Sequence, residues 1–367
     1  MKTKSYRMKT NPKIFFIALT VGSGVQNTGE RITKMFDKYS KDNPGKFMVY
    51  LYQNSSTTMT DELIKFKPDI IMLNEHYYRC FIAMLFYKKY NPDTILIYFN
   101  HCYPRLIEFP TKPSAEEGIE YGVHTDVFLQ SCDLIYNLNH HPSDEPYAYP
   151  FRKKTIDIYF PIPREEWHIT TPWSKRKRLF MFWGGVFPAK FSEKFIDAIA
   201  DTDLEVDVYG QIHDENDRHV KYKPYWEKLR RTKQLQVMGK IENNNLLNTV
   251  NSYKFFICPH YGTEPFMLTL GEACMAGTIP LMHNDVGRGR AGQNWRAWAD
   301  NLYIDHSSVD SLIDKMKLLR NVHTDPDYAA VLEKYSYDIS EEMSNRLNYD
   351  RFKRELFTFI FGKEESK

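Results

Sequence analysis

Two glutamates, Glu264 and Glu272, stand with seven residues between them in the stretch HYGTEPFMLTLGEACMAGTIPLMHND, residues 260–285. A carboxylate accepts hydrogen bonds from two vicinal hydroxyls with good geometry, so a pair of them suits a ligand built of sugar rings. Between the two acids, residues 265–271 are predicted to bend into the start of a helix, MLTLGEACMA. The start of a helix presents unpaired backbone N–H groups and the positive end of the helix dipole, which suits a diphosphate. Seven or eight residues make about two turns, so Glu264 precedes the helix and Glu272 lies inside it. Two sugar rings joined by a diphosphate would then be held with the ribose on Glu272, the phosphates on the amides of Phe266, Met267, Leu268 and Thr269, and the second sugar on Glu264. Two acids at this spacing arise often by chance. The context of strand, loop, Glu, helix, Glu-Ala, Gly-Thr-Ile-Pro and strand is what carries the reading.

The elements that must position these residues alternate along the chain. In the first half, KIFFIAL, KFMVYLY, PDIIMLN, TILIYFN and CDLIYNLN read as buried strands. ERITKMFDKYSK, TMTDELIKF, YRCFIAMLFYKKY and GVHTDVFLQS read as the helices between them. VGSGVQNTG, after the first strand, reads as a glycine loop, and the proline-marked PYAYPFRKKTIDIYFPIPREEW as a boundary or linker. The pattern then restarts, with RLFMFWGG, LEVDVYG, LQVMGK, KFFICP, TIPLM and LYIDH as strands. FSEKFIDAIA, YKPYWEKLRRT, NNNLLNTVNS, MLTLGEACMA and SVDSLIDKMKLLRN are helices, and the tail YDRFKRELFTFIFG is an amphipathic one. Short apolar runs separated by helices argue for parallel sheets covered on both faces. The expected fold class is α/β, with two Rossmann-like domains, 1–163 and 164–345, facing across a cleft, and a C-terminal helix in 346–367 crossing back to the first domain. Ligand sites are expected at the carboxyl ends of the strands, in the crevice between the domains.

A chain of 367 residues exceeds one ordinary core, and 26% charged with 42% apolar residues excludes a disordered or fibrous chain. The net charge of +2 excludes a polycation, so any attraction to a polyanion must come from local patches. Such patches are RKK (Arg152, Lys153 and Lys154), KRKR (Lys175, Arg176, Lys177 and Arg178) and KLRRTK at 228–233. Cys80, Cys102, Cys132, Cys258 and Cys274 include no C-x-x-C pair and suit buried reduced thiols in a cytosolic protein. The basic N-terminal head and its short apolar run have the look of a signal peptide. IFFIALTV is short, however, and is followed by a glycine loop rather than an A-x-A-like site, so it reads as the first strand. No stretch reaches the ~18 apolar residues that span a bilayer. Asp201-Thr202-Asp203 is a D-x-D between a helix and a strand, and it reads as a turn.

The stretch GKIENNNLLNTVNSYKFFICPHYGTEPFMLTLGEACMAGTIPLM resembles the donor-binding half of retaining GT-B glycosyltransferases that carry the E-x7-E motif. In the first half of the chain the resemblance is looser and rests on TVGSGVQNTG, YFNHC and CDLIYNLN. It implies the GT-B fold and a nucleotide-diphosphate sugar as co-substrate, with a UDP-sugar expected. It also implies no bound cofactor or metal, because cationic side chains and the helix start stabilise the diphosphate. By the family pattern Glu272 holds the ribose and Glu264 the sugar, His101 faces the sugar or the acceptor, and Gly22 and Gly24 let the first loop approach the donor. The family carries Gly-Arg-x4-Lys after the first strand of its second domain. Here WGGVFPAK sets Lys190 on the lysine and Gly185 where the arginine stands. Arg288 and Arg290, in NDVGRGRAGQNWR, are candidates to supply the second cation.

The acceptor is a separate question. Basic runs, 15% aromatic residues and mixed stretches such as YKPYWEKLRR and QNWRAW lean towards nucleic acid, whose phosphates would make binding salt-dependent. A base in a duplex must then be flipped out or approached through the major groove. LGEACMAGTIPLM and the Lys/Tyr/Phe/Asn-rich character resemble bacteriophage DNA glycosyltransferases. That resemblance implies transfer of glucose or arabinose to 5-hydroxymethylcytosine in phage DNA. The candidate DNA contacts are Arg152, Lys153, Lys154, Lys175, Arg176, Lys177 and Arg178, and the location is cytoplasmic, in the host if phage-encoded. The alternative is a bacterial transferase of surface polysaccharide or lipopolysaccharide with peripheral membrane contact. A third reading, kept open by the missing arginine, is a nucleic-acid-binding module on a catalytically dead GT-B fold.

Overall fold

The computed structural model describes residues 11–18, 24–53, 59–74, 78–100, 127–137, 155–157, 162–186, 188, 190–210, 212, 222–259, 268–282, 308–347 and 349–361. The chain divides into two compact units, 1–161 with 349–367, and 162–348.

The first unit is built from β1 (Lys13–Ile17), α1 (Gly24–Asp42), β2 (Met48–Tyr52), α2 (Met59–Phe66), β3 (Ile70–Leu73), α3 (Tyr78–Tyr90), β4 (Ile95–Asn100), β5 (Leu134–Asn137) and β6 (Thr155–Asp157). The strands form one parallel sheet in the order β2-β1-β3-β4-β5-β6. Ile14, Phe15, Phe16 and Ile17 are buried on both sides of the sheet, as are Ile70, Ile71, Met72 and Leu73. This burial is why the strands read as unbroken apolar runs rather than alternating ones. On one face Phe81 of α3 stacks on Phe128 with ring centroids 4.2 Å apart. The C-terminal helix, Tyr349–Phe361, also belongs to this unit. It sets Phe352 against Phe99 and Tyr136, and Phe357 against Phe36 and Tyr39.

The second unit contains β7 (Arg178–Trp183), α4 (Glu193–Ala200), β8 (Val206–Tyr209), α5 (Lys223–Arg231), β9 (Leu235–Gly239), α6 (Asn243–Val250), β10 (Tyr253–Cys258), α7 (Leu268–Met275), β11 (Ile279–Met282), α8 (Val309–Val322) and α9 (Pro326–Arg346). Its sheet is parallel in the order β11-β10-β7-β8-β9. The strand order reverses between β7 and β10, so a ligand crevice is expected beyond their carboxyl ends.

Three elements differ from the sequence reading. The stretch read as a linker contains β6, which pairs in parallel with β5 through Ile135–Thr155, Tyr136–Ile156 and Asn137–Asp157; three residues among prolines and cations carry too little pattern to show a strand. Helix α1 begins at Gly24, inside the stretch read as a loop. The apolar pattern assigns no element to α9, whose buried face mixes Leu332, Ile339 and Met343 with Ser336 and Ser344. Its start carries a cap and a proline: Asp325 accepts from the N–H groups of Asp327 and Tyr328, and Pro326 opens the helix. The strand expected in LYIDH lies outside the described residues. Residues 201–203 do form a turn, and Asp203 pairs with Arg320 at 2.6 Å. Cys80, Cys132, Cys258 and Cys274 are buried cysteines, none of them in a disulfide with another described residue. Among the described residues no helix is long and apolar enough to cross a membrane.

Candidate active site

Helix α7 follows β10, at the reversal point. It is buried all round, from Leu268 to Met275 except for a half-buried Thr269. A helix so enclosed needs partners for its terminal carbonyls, and they are complete. Gly277 takes φ +70° and donates to the Cys274 carbonyl, while Thr278 donates to that of Ala273, which is the Schellman arrangement. The carbonyls beyond are met by side chains: Ser340 on Met275, Arg176 Nη2 on Ala276 at 2.6 Å, and Ser336 on Gly277 at 2.6 Å. A cation at the negative end of the dipole adds to the effect. The first turn of α7, from Leu268 and Thr269, has N–H groups with no partner inside the helix. Glu272 lies in its second turn, 2% exposed and partnered within the chain, as a buried carboxylate must be.

The other side of the reversal point is the loop 184–192 between β7 and α4, which carries Gly185 and Lys190. Val186 and Phe191 are fully buried in it and Lys190 is half-buried and partnered. The Ser192 N–H donates to the Pro259 carbonyl at 3.2 Å, tying this loop to the exit of β10. The loop passes so close to the end of β8 that a Cβ on Gly210 would stand 1.9 Å from the Gly184 carbonyl oxygen and 2.8 Å from Val186 Cγ2. Gly210 also has φ +153°. Gly210→Ala is therefore expected to destabilise the second unit by about 3 kcal/mol. Gly45→Ala, at φ +81° with open space around it, should cost only about 1 kcal/mol. Urea unfolding of the two variants checks the contrast.

Of the residues singled out in the sequence, the structure brings Gly185, Lys190, Leu268, Thr269 and Glu272 to the reversal point of one sheet. Glu264, Phe266, Met267, Gly22, His101, Arg288, Arg290, Arg152, Lys153 and Lys154 lie outside the described residues. Gly24 is the first residue of α1 rather than part of a loop. The KRKR run needs correcting. It sits at the amino end of β7, away from the reversal point, and its members differ. Lys175 and Lys177 are exposed. Arg176 is 3% exposed, its guanidinium inside the unit, so it is no surface contact for a phosphate. Burial pulls its pKa down to about 10, still charged at neutrality. Arg178 is engaged by Tyr253 Oη and Asp207 Oδ2, each at 2.7 Å, and the Tyr253 hydrogen bond raises its pKa further.

Gly29 was missed by sequence reasoning. In the first unit a Cβ there would lie 2.9 Å from Asn74 Nδ2 and 3.0 Å from Ala18 Cβ, so glycine lets α1 seat on the ends of β1 and β3. The sequence does carry a third glycine after Gly22 and Gly24, but five residues after the second rather than three, so the dinucleotide pattern does not mark it.

Residues 163–337 match the family Glycosyl transferases group 1. A search of curated proteins found no match. Among solved structures the chain resembles Anabaena HepE in complex with UDP-glucose, at 12% identity and TM-score 0.69 over 95% of this chain and 99% of that one. It resembles sucrose-phosphate synthase from Thermosynechococcus elongatus at 12% identity and TM-score 0.69, over 95% and 98%. A glycosyltransferase from Rickettsia africae aligns at 10% identity and TM-score 0.65, over 97% and 100%. The described architecture is that of the GT-B fold, and residues 163–337, in its second unit, are similar to the glycosyl transferases group 1 family.

Proposed function

We propose that the protein is a retaining glycosyltransferase that moves a sugar from a nucleotide-diphosphate sugar, a UDP-sugar, to a hydroxyl acceptor. The observation that carries this is the hydrogen bond between Ser192 and Pro259, which joins the lysine loop to the segment leading into α7 at the reversal point. Lys190 and the N–H groups of Leu268 and Thr269 receive the diphosphate, Glu272 the ribose hydroxyls, and Glu264 the transferred sugar. Arg288 and Arg290 supply the second cation that Gly185 cannot, and His101 faces the sugar or acceptor. As the bond from the anomeric carbon to the diphosphate oxygen breaks, charge grows on the leaving group and these cations and amides stabilise it. The acceptor oxygen attacks from the same face and passes its proton to the leaving diphosphate. UDP-glucose in the HepE structure supports the choice of donor.

Lys190→Ala is expected to lower turnover by about 100-fold, read as label transferred from a radiolabelled UDP-sugar. An unchanged rate removes Lys190 from the phosphate site. The acceptor is a saccharide hydroxyl, of the kind built into surface polysaccharide or lipopolysaccharide. The burial of Arg176 and the engagement of Arg178 favour this over DNA, since they leave two freely exposed cations in that run. The DNA reading, hydroxymethylcytosine as acceptor, keeps Lys175 and Lys177 in its support. One assay separates them: labelled UDP-sugar with lipid-linked saccharides, hydroxymethylated DNA and plain DNA. Label on hydroxymethylated DNA alone, with a steep salt dependence, reverses the order of the two, and the anomeric configuration of the product by NMR tests retention.

A further inference from the structure

We propose that Tyr225 and Trp226, neighbours in the first turns of α5, are positioning residues for the phosphate loop and act through Lys190. This rests on the reading above, in which loop 184–192 takes the diphosphate. Neither residue belongs to the apolar strands or the acid pair that mark the site, yet both send a polar atom into the loop. The Tyr225 hydroxyl donates to the Phe191 carbonyl at 2.6 Å, and the Trp226 indole N–H donates to the Val186 carbonyl at 3.0 Å. Both side chains are buried, where a hydroxyl or indole N–H must find a partner. Desolvation raises the pKa of the Tyr225 hydroxyl, so it remains a donor throughout the working pH range.

The two bonds fall on either side of Lys190, at residues 186 and 191. The loop is also tied at its start, where Gly184 donates to the Tyr209 carbonyl at 3.1 Å, and at its end, where Ser192 donates to the Pro259 carbonyl. A trans peptide points its C=O and N–H in opposite directions. The peptide between Phe191 and Ser192 is therefore gripped from both sides, by Tyr225 on its oxygen and by the exit of β10 on its nitrogen. That peptide begins at Phe191, the residue after Lys190. Pro224 in the first turn of α5 fixes the backbone that presents both aromatics. Helix α5 thereby sets the distance between the lysine loop and the segment that leads to α7, without touching a ligand itself. Losing either bond leaves a buried carbonyl unpaired and lets the lysine wander.

Titration calorimetry on the full chain, with UDP and with uridine as probes, tests this on Tyr225→Phe, Trp226→Phe, Lys190→Ala and the Tyr225→Phe/Lys190→Ala double variant. Tyr225→Phe should weaken UDP about fivefold and leave uridine as it was. In the Lys190→Ala background the same change should have less than about a twofold effect, because its intermediary is gone. Trp226→Phe should behave like Tyr225→Phe and serves in its place if that variant does not fold. Equal weakening of UDP and uridine, or full additivity in the double variant, overturns the positioning role. UDP affinity retained in Tyr225→Phe but lost in Lys190→Ala does so too, and leaves the donor reading intact. UDP affinity retained in Lys190→Ala sinks the phosphate-loop reading itself.

Discussion

Replacing Glu272 with glutamine is expected to weaken UDP about 100-fold and to abolish transfer. Glu272 is 2% exposed, so a ligand reaching its carboxylate would meet it where water is largely excluded and charge-assisted hydrogen bonds count most. Two vicinal ribose hydroxyls donating to one carboxylate make two such bonds, each worth about 1.5 kcal/mol or more. Glutamine keeps the volume and one acceptor but removes the negative charge and replaces the second acceptor with a neutral donor, so neither bond remains charge-assisted. The loss of about 3 kcal/mol corresponds to about 100-fold in Kd. A fold defect is told apart by the ligand. UDP lacking the 2′ and 3′ hydroxyls should bind wild-type protein and Glu272→Gln alike, since the bonds at issue are absent from both. Near-normal UDP affinity in Glu272→Gln, or equal weakening for the dideoxy form, removes the ribose role.

The strands were legible because parallel strands buried on both faces leave unbroken apolar runs, as in Ile70–Leu73 and Tyr253–Cys258. The helix at 268–275 was legible because its small residues lie between two such strands. What stayed hidden depends on partners far away along the chain. Arg176 sits in KRKR, and its local composition is that of a solvated patch. Its burial is decided by Asn251 and Thr278, which lie 75 and 102 residues further on. Helix α9 turns serine hydroxyls toward α7 where a periodic pattern expects apolar residues. Gly210 looks like any strand-end glycine until the β7 loop passes over it. Tyr225 and Trp226 look like members of an aromatic and basic surface stretch, whereas their polar atoms end inside the fold. In each case a polar or missing side chain does a packing job, and hydrophobic pattern cannot report that.

Arg176→Ala is expected to be the most destabilising of these changes. The guanidinium makes five hydrogen bonds: Nε to the Thr171 carbonyl at 3.1 Å, Nη1 to the Tyr253 carbonyl at 3.0 Å and to Thr278 Oγ1 at 2.9 Å, and Nη2 to Asn251 Oδ1 at 3.4 Å and to the Ala276 carbonyl at 2.6 Å. Alanine leaves these acceptors facing a cavity, Ala276 among them at the clamped end of α7. Breaking a buried charged network by removing one member costs about 4 kcal/mol, which in a unit of this size lowers Tm by about 10 °C. Lys177→Ala, at the exposed next position, should stay within about 0.5 kcal/mol of the wild type. Arg176→Lys should fall between, because an ammonium keeps the charge but cannot reach every acceptor of the planar fork. Well below its Tm, Arg176→Ala should also bind UDP more weakly, since α7 carries both the amides and Glu272 and has lost one of its anchors. Were Arg176 instead a phosphate contact for DNA, the signs would reverse: an unchanged Tm, unchanged UDP affinity and a lowered salt slope of DNA binding. Calorimetric unfolding of the three variants together with a UDP titration decides between the two, and an Arg176→Ala protein as stable as Lys177→Ala would contradict the buried anchor.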